Sequence, residues 1–370
     1  MSYYFICLFR ADKSTSGLAL RIPALWKVLA EQGEDVYLII NHSLYDKTLK
    51  GINKSVLNKV HIIPENLGFK ASCLAYVPPL LTYLALIKDI KFFHLSVGGA
   101  YFIDYLKIIS KVFSKDITIH TSIGSKNLDM IVDGNRESRY YKLHINLMKK
   151  SDKIDCLYSP EGFPQFKDKC IQSPGSFSWK FDTKYINNIA MDTKKNNDIV
   201  FCGSLLPQKN YRLAIDSYKK LSGNLLSENK FNLILVAPNI PKELLLEIDS
   251  FNTNNVGKII IEDYKNIDRV LKNSYIFLSL QDYDNYPSQS LIEAMIFGCT
   301  IIATDTGETS KLVKENFNNI LIKKDINELI EAMITLINKP NSINVKNINL
   351  IKREHTVELY ADYFRYNFLN

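Results

Sequence analysis

NYPSQSLIEAMIFG at residues 285–298, running directly into CTIIAT at 299–304, reads as a helix over Ser288–Phe297 followed by a buried strand over Thr300–Ala303. A further apolar run, Ser274–Leu280, precedes it and reads as another strand. Strand, helix and strand in that order make one unit of a parallel sheet with a crossover helix.

The same alternation extends both ways from this stretch. Toward the N-terminus it gives strands at Ile199–Cys202, Leu233–Val236 and Lys258–Ile261, separated by helices at Asn210–Leu221, Lys242–Asp249 and Asn266–Lys272. Earlier strands are expected at Tyr3–Phe9, Val36–Asn41, Val60–Ile63, Phe92–Ser96, Ile117–Thr121 and Ile154–Tyr158, with a short one near Cys170. A helix over Ser16–Glu31 is stopped by Gly33. Between Ser159 and Lys195 the pattern breaks into Pro-, Gly- and Ser-rich pieces, as in a linker.

At 370 residues the chain suits two domains. The expected layout is α/β, with two Rossmann-like, doubly wound domains facing across a cleft. Residues 1–175 are expected to form the N-terminal domain and 196–350 the C-terminal one. Residues 351–370 form a last helix that packs back toward the first domain.

Charge is uneven. Residues 1–180 hold 24 Lys and Arg against 16 Asp and Glu, and the remainder hold 22 against 23. A basic domain attracts phosphates, acidic glycans or anionic lipid head groups. Scattered basic residues without a recognised motif argue against a nucleic-acid partner. The six cysteines are far apart with no CxxC pair, and several fall inside apolar runs, as expected of buried thiols in a reducing compartment. The first residues lack a basic stretch ahead of their apolar run and read as a strand rather than a signal peptide. No apolar stretch reaches the roughly 20 uninterrupted residues of a spanning helix. The longest, Ala71–Ile87, contains Pro78 and Pro79, and an interfacial role is open to it.

Glu293 is the sharpest local anomaly, a lone carboxylate flanked by Leu291, Ile292, Ala294 and Met295. A charge in such a setting must be paired, hydrogen-bonded or turned to a polar cleft. Asn285 or Ser288 can cap the helix, whose first N–H groups would then face the carboxyl edge of the sheet, where open α/β sheets bind ligands. A phosphate at the helix start and a sugar diol on Glu293 form one consistent picture. A salt bridge or a cap on another helix is the structural alternative. In IVFCGSLLPQKN, Gly203 ends a strand and Lys209 stands at the next helix entrance, placed to meet a diphosphate as a point charge.

Together, GSLLPQK at 203–209, NYPSQSLIEAMIFG at 285–298 and TIIATDTGE at 300–308 resemble the C-terminal domain of the family 4 retaining glycosyltransferases of the GT-B fold. The resemblance implies that Glu293 holds the ribose hydroxyls, that Lys209 pairs with the diphosphate, and that Asn285, Tyr286, Pro287 and Ser288 line the donor with Gly203 and Ser204. TIHT at 118–121 is similar to the family's strand-end histidine motif, which would set His120 beside the transferred sugar. Gly17 would approach the phosphates, with help from Arg21.

Two positions depart from the family pattern. Asn285 replaces a glutamate, and Ser204 an arginine. Asp282 or Asp284 is the candidate substitute for the missing carboxylate. The histidine has a structural alternative, since a strand-end imidazole is often a satisfied packing residue. Asp282-Tyr283-Asp284 has the spacing of a metal-binding DxD motif, but its late place in the chain reads as a loop bordering the cleft, and no metal is expected.

The resemblance implies retaining hexosyl transfer from a nucleotide-diphosphate sugar, UDP- or GDP-linked, to a glycan or lipid-linked acceptor, with no cofactor beyond the donor. The setting expected is the cytoplasm at the inner membrane face, in building a bacterial surface polysaccharide. A sugar-nucleotide epimerase of the same fold and a non-catalytic donor-binding homologue are the alternatives.

Overall fold

A computed structural model describes residues 2–10, 17–124, 126–127, 136–189, 194–225, 231–282, 286 and 288–370. They fall into two compact units, Met1–Asp182 with Thr356–Asn370, and Thr183–His355.

The first unit is built on seven parallel strands: β1 Tyr3–Cys7, β2 Val36–Asn41, β3 Val60–Ile63, β4 Phe92–Leu95, β5 Thr118–Ile123, β6 Lys153–Cys156 and β7 Cys170–Gln172, in the spatial order β3-β2-β1-β4-β5-β6-β7. Tyr3, Phe5 and Cys7 face one side, where Leu38, Ile40 and the helix Gly17–Glu31 complete a core around the fully buried Trp26. Tyr4, Ile6 and Leu8 face the other, against the helices Phe69–Thr82 and Ile103–Val112. Both faces are covered, so β1 and β2 are almost wholly apolar rather than alternating with charge. Gly33, at φ 91°, ends the Gly17–Glu31 helix, and the Glu34 N–H closes back on the Leu29 carbonyl at 3.1 Å.

The second unit holds six parallel strands: β8 Asn196–Cys202, β9 Leu233–Val236, β10 Ile259–Glu262, β11 Ser274–Ser279, β12 Thr300–Thr304 and β13 Ile320–Ile322, ordered β10-β9-β8-β11-β12-β13. Ile199, Phe201, Leu233, Leu235, Ile276 and Leu278 pack with Ile215, Tyr218 and Met333 from the covering helices. In each sheet the connections wind one way from the first strand and the other way after the fourth. The topological switch points therefore lie between β1 and β4 and between β8 and β11.

Three expectations need correction. Besides the strand expected near Cys170, β7, the Ser159–Lys195 stretch holds short 3-10 turns and the helix Thr183–Asn187 and is not a bare linker, because Phe163, Phe177 and Phe181 are buried and tie it down. Strand β13 had no counterpart in the sequence reading, being only three residues long. The final helix does not begin at 351: Val345–Glu354 is a helix of the second unit, whose Ile348 and Ile351 are buried and whose Asn347 donates to the Cys299 carbonyl at 2.8 Å. A new helix, Val357–Phe364, starts behind the Thr356 N-cap and places Val357, Tyr360, Ala361, Phe364 and Phe368 in the first unit's core.

Candidate functional site

At the carboxyl ends of β8 and β11 the second unit has a narrow hollow of about 10 Å³, lined by Cys202, Lys209, Ser279, Leu280, Gln281 and Ser290. This is the switch point of its sheet. Gly203 leaves β8 with φ 153° and open space where a side chain would stand, its N–H held by the Val236 carbonyl at 3.0 Å. Ser204 follows it, half-buried. The chain then makes a 3-10 turn, Pro207–Lys209, closed by Asn210 in the left-handed region at φ 54°. That turn presents Lys209, whose Nζ donates to Gln281 Oε1. Burial lowers the Lys209 amine below its ordinary value, with Cys202 acting in the opposite sense. A desolvated ammonium beside a neutral amide keeps most of its charge available to an anion.

Across the hollow, Ser290 opens the helix Gln289–Ile296. Ser288 takes the N-cap position with extended backbone angles, but its side chain makes no capping hydrogen bond and meets Ser290 Oγ at 3.0 Å instead. The expected serine cap is therefore present in position and absent in chemistry, because the two hydroxyls satisfy each other. One turn on, Glu293 is 2% exposed within a fully buried run from Leu291 to Ile296. The Tyr264 hydroxyl is pushed up first by burial, then by the Glu293 carboxylate and then by Cys202, which sets all three in one electrostatic neighbourhood. The Tyr286 ring stands edge-on to His355 at 6.4 Å. Asn285 and Pro287 lie outside the described residues, as does Asp284. Asp282 is not a free substitute carboxylate: it accepts from Asn210 at 2.6 Å and pairs with Lys324 at 2.6 Å. Among the described residues no group of three or more His, Cys, Asp or Glu is placed to hold a metal ion.

The structure corrects the expected position of His120. It is not at a strand end: β5 continues three residues beyond it to Ile123. The ring is 2% exposed, hydrogen-bonds through Nδ1 with the Tyr3 hydroxyl at 2.9 Å, and meets the Phe368 ring edge-on at 5.3 Å. Burial, and then Lys153, bring its pKa down to about 4. It belongs to a buried chain that runs from Tyr3 to His94 at 3.4 Å, from His94 Nε2 to Ser122 at 3.0 Å, and from the Ser122 hydroxyl to Asp155 at 2.7 Å. Asp155 also accepts from Tyr360 and from Tyr363, which locks the C-terminal helix to the sheet. This network consumes the imidazole as a packing residue. Arg21 is drawn into the same core, its guanidinium 4.7 Å from the Tyr360 ring centroid and 5.3 Å from that of Phe177. Gly17 begins the helix that carries Arg21.

Of the expected residues, the structure brings Lys209 to this hollow and Glu293 into the helix beside it, and it adds Gln281, Ser290 and Tyr264, which the sequence reading did not name. Gln281 carried a readable signal, since it is the polar residue directly after the apolar β11 run. A broader hollow of about 440 Å³ opens at the amino end of β8, among Lys194, Asn196, Asp198, Asn232 and Asn341. It lies at the opposite edge from the one where parallel sheets bind ligands.

Residues 186–353 match the family described as glycosyl transferases group 1. No curated protein sequence matches the chain. Among solved structures, HepE of Anabaena in complex with UDP and glucose is similar at 14% identity and a TM-score of 0.68, over 99% of each chain. Sucrose-phosphate synthase of Thermosynechococcus elongatus is similar at 12% identity and a TM-score of 0.65, again over 99% of each chain. A glycosyltransferase from Rickettsia africae is similar at 14% identity and a TM-score of 0.65, over 98% of this chain and 96% of that one. These likenesses give the fold as GT-B.

Proposed function

From the match of residues 186–353 to the glycosyl transferases group 1 family, we propose that the chain moves a hexosyl group from a nucleotide-diphosphate sugar to a glycan or lipid-linked acceptor. The observation that carries this reading is the second unit's switch point, where Lys209 stands across a hollow from the start of the helix that buries Glu293. A diphosphate at the mouth of that hollow would meet the Lys209 ammonium and the helix-terminal N–H groups. Glu293 is one turn farther along the helix, where in this reading it would accept from the nucleotide's ribose hydroxyls. The UDP and glucose of the similar Anabaena structure favour a UDP-sugar donor, with GDP as the next candidate.

The proposed reaction proceeds with retention and without a metal. The bond between the sugar's anomeric carbon and the diphosphate oxygen breaks, and a bond from that carbon to the acceptor hydroxyl oxygen forms on the same face. The departing diphosphate takes the hydroxyl proton. Lys209 stabilises the negative charge that builds on the leaving group, the kind of preorganised electrostatic contact that usually dominates catalysis. The setting that fits a basic N-terminal half and a lipid-linked acceptor is the inner face of a bacterial plasma membrane, in the assembly of a surface polysaccharide.

The test is a screen of UDP-, GDP-, CMP- and dTDP-sugars by thermal shift, followed by transfer assays with the sugar that stabilises most. Acceptor-dependent release of the nucleoside diphosphate is expected. Conversion of the donor in the absence of acceptor would instead make the chain an epimerase, and binding without turnover on lipid-linked or glycan acceptors would make it a donor-binding protein.

A further inference from the structure

The helix Phe69–Thr82 and its π-helical continuation Tyr83–Ile87 carry no charged residue between Lys70 and Lys88. By length and composition these 19 residues are enough to cross a membrane. Their inner face is nevertheless committed to the first sheet, with Cys73, Val77, Leu81, Leu84 and Ala85 buried in its core. Spanning a bilayer would strip that face from its partners. The outer face is what needs explaining: Leu74 is 68% exposed and Ile87 72%, where a solvent-facing stripe is normally charged.

The neighbouring helix repeats the pattern. Ile103–Val112 buries Ile103, Leu106 and Ile109 in the same core and leaves Ile108 58% and Val112 65% exposed, followed by an exposed Phe113. Two ties hold the helices side by side. The Thr82 and Tyr105 hydroxyls meet at 2.6 Å, and Lys115 donates to Asp89 at 2.8 Å near the two C-terminal ends. Ile87, Ile108, Val112 and Phe113 are thereby gathered on one surface, and contiguous apolar surface of this kind marks an interaction site.

Charge selects the partner. Lys70, Lys88, Lys91 and Lys111 fringe the two helices, while Lys107 pairs with Asp152 at 3.4 Å. Of the acidic residues there, Asp89 is engaged by Lys115 and Asp104 by Lys150 and Asn146, which leaves the exposed Asp116 as a single opposing charge. A two-fold pairing of this face with a second copy would set lysines against lysines. Apolar side chains ringed by lysines and tyrosines match the boundary between lipid head groups and acyl chains. We propose that the outer face of the helices Phe69–Ile87 and Ile103–Val112 seats the first unit on an anionic lipid bilayer, lying on it rather than crossing it. This rests on the first unit alone and not on the transfer chemistry, so either can fail without the other.

Flotation of the full chain with vesicles tests it. Binding is expected to vesicles of phosphatidylcholine with phosphatidylglycerol, to weaken with salt, and to be much poorer on phosphatidylcholine alone. The double variant Lys88→Ser/Lys111→Ser should bind anionic vesicles about 30-fold more weakly. The triple variant Ile87→Ser/Ile108→Ser/Val112→Ser should lose about tenfold or more. Every replaced residue is outward-facing, so thermal melting should stay close to wild type. Leu246→Ser, at a 62% exposed position of the second unit, should leave binding unchanged. The proposal is overturned if anionic vesicles are not preferred, if the triple variant binds like wild type, or if the same residues instead hold together a dimer in vesicle-free solution.

Discussion

The two sheets share a winding order and use their switch points in opposite ways. Between β8 and β11 the chain leaves a hollow with an ammonium on one wall, a helix start on the other and a carboxylate one turn deeper. Between β1 and β4, among the described residues, the equivalent ground is packed shut. A side chain on Gly98 would place its Cβ 1.5 Å from the Leu8 carbonyl oxygen, and one on Gly99 would meet the Ile6 carbonyl at 3.0 Å. The Ser96 N–H also bonds the Ile6 carbonyl at 3.0 Å. Beneath, the Tyr3, His94, His120, Ser122 and Asp155 chain fills the sheet's face with satisfied polar groups. One topology supplies two switch points, and among the described residues only that of the second unit is lined by a half-buried ammonium and a helix start.

The largest effect should come from forcing the closed end open. Gly98→Ala must displace backbone rather than a flexible side chain, and should cost the first unit about 3 kcal/mol or more. Chemical denaturation followed by hydrogen exchange would report the loss in residues 1–182 with the second unit still protected. Equal loss in both units would mean that the units do not unfold separately.

Next comes the open end. Lys209→Ala or Glu293→Ala should lower kcat/KM by about 10²-fold, the value of one preorganised contact. His120→Asn, by contrast, should change turnover by no more than about threefold while lowering the melting temperature. A hundredfold loss from the histidine variant with unchanged stability would reverse the two roles.

A smaller effect separates the units by pH. His94 is held well below its ordinary value by burial and then by His120, and His120 itself titrates near 4. An unfolded histidine takes up a proton near pH 6.5, and the folded ones do not. Their contribution is therefore complete above pH 6.5 and is lost as pH falls from there toward 4. At pH 5 His120 alone should cost about 2 kcal/mol relative to pH 7.5. His61 and His144, also lowered by burial, lie in the same unit. Hydrogen exchange at the two pH values should show the first unit loosening before the second. A second unit that loosens first would contradict this assignment.

Much of this was legible in the residues. Most of the parallel strands covered on both faces are largely apolar runs, so their positions could be read directly, and the lone carboxylate of the apolar helix Gln289–Ile296 was visible as Glu293. What stayed hidden depends on partners distant in sequence. Thr121 and Ser122 look like the polar end of a strand, yet β5 continues because Ser122 bonds Asp155, itself bound by tyrosines 360 and 363. That continuation removed His120 from the sheet edge. Likewise the Pro- and Ser-rich stretch around 175 looked like linker, while Phe177 was packing against Arg21 and Tyr360.

The most direct test is hydrogen exchange of the full chain with and without the nucleotide-diphosphate sugar that raises its melting temperature most. New protection is expected in residues 203–211 and 286–293, and it should disappear in Lys209→Ala. Protection confined to the ends of β1 and β4, or protection that survives the loss of Lys209, would contradict a donor site at the second unit's switch point.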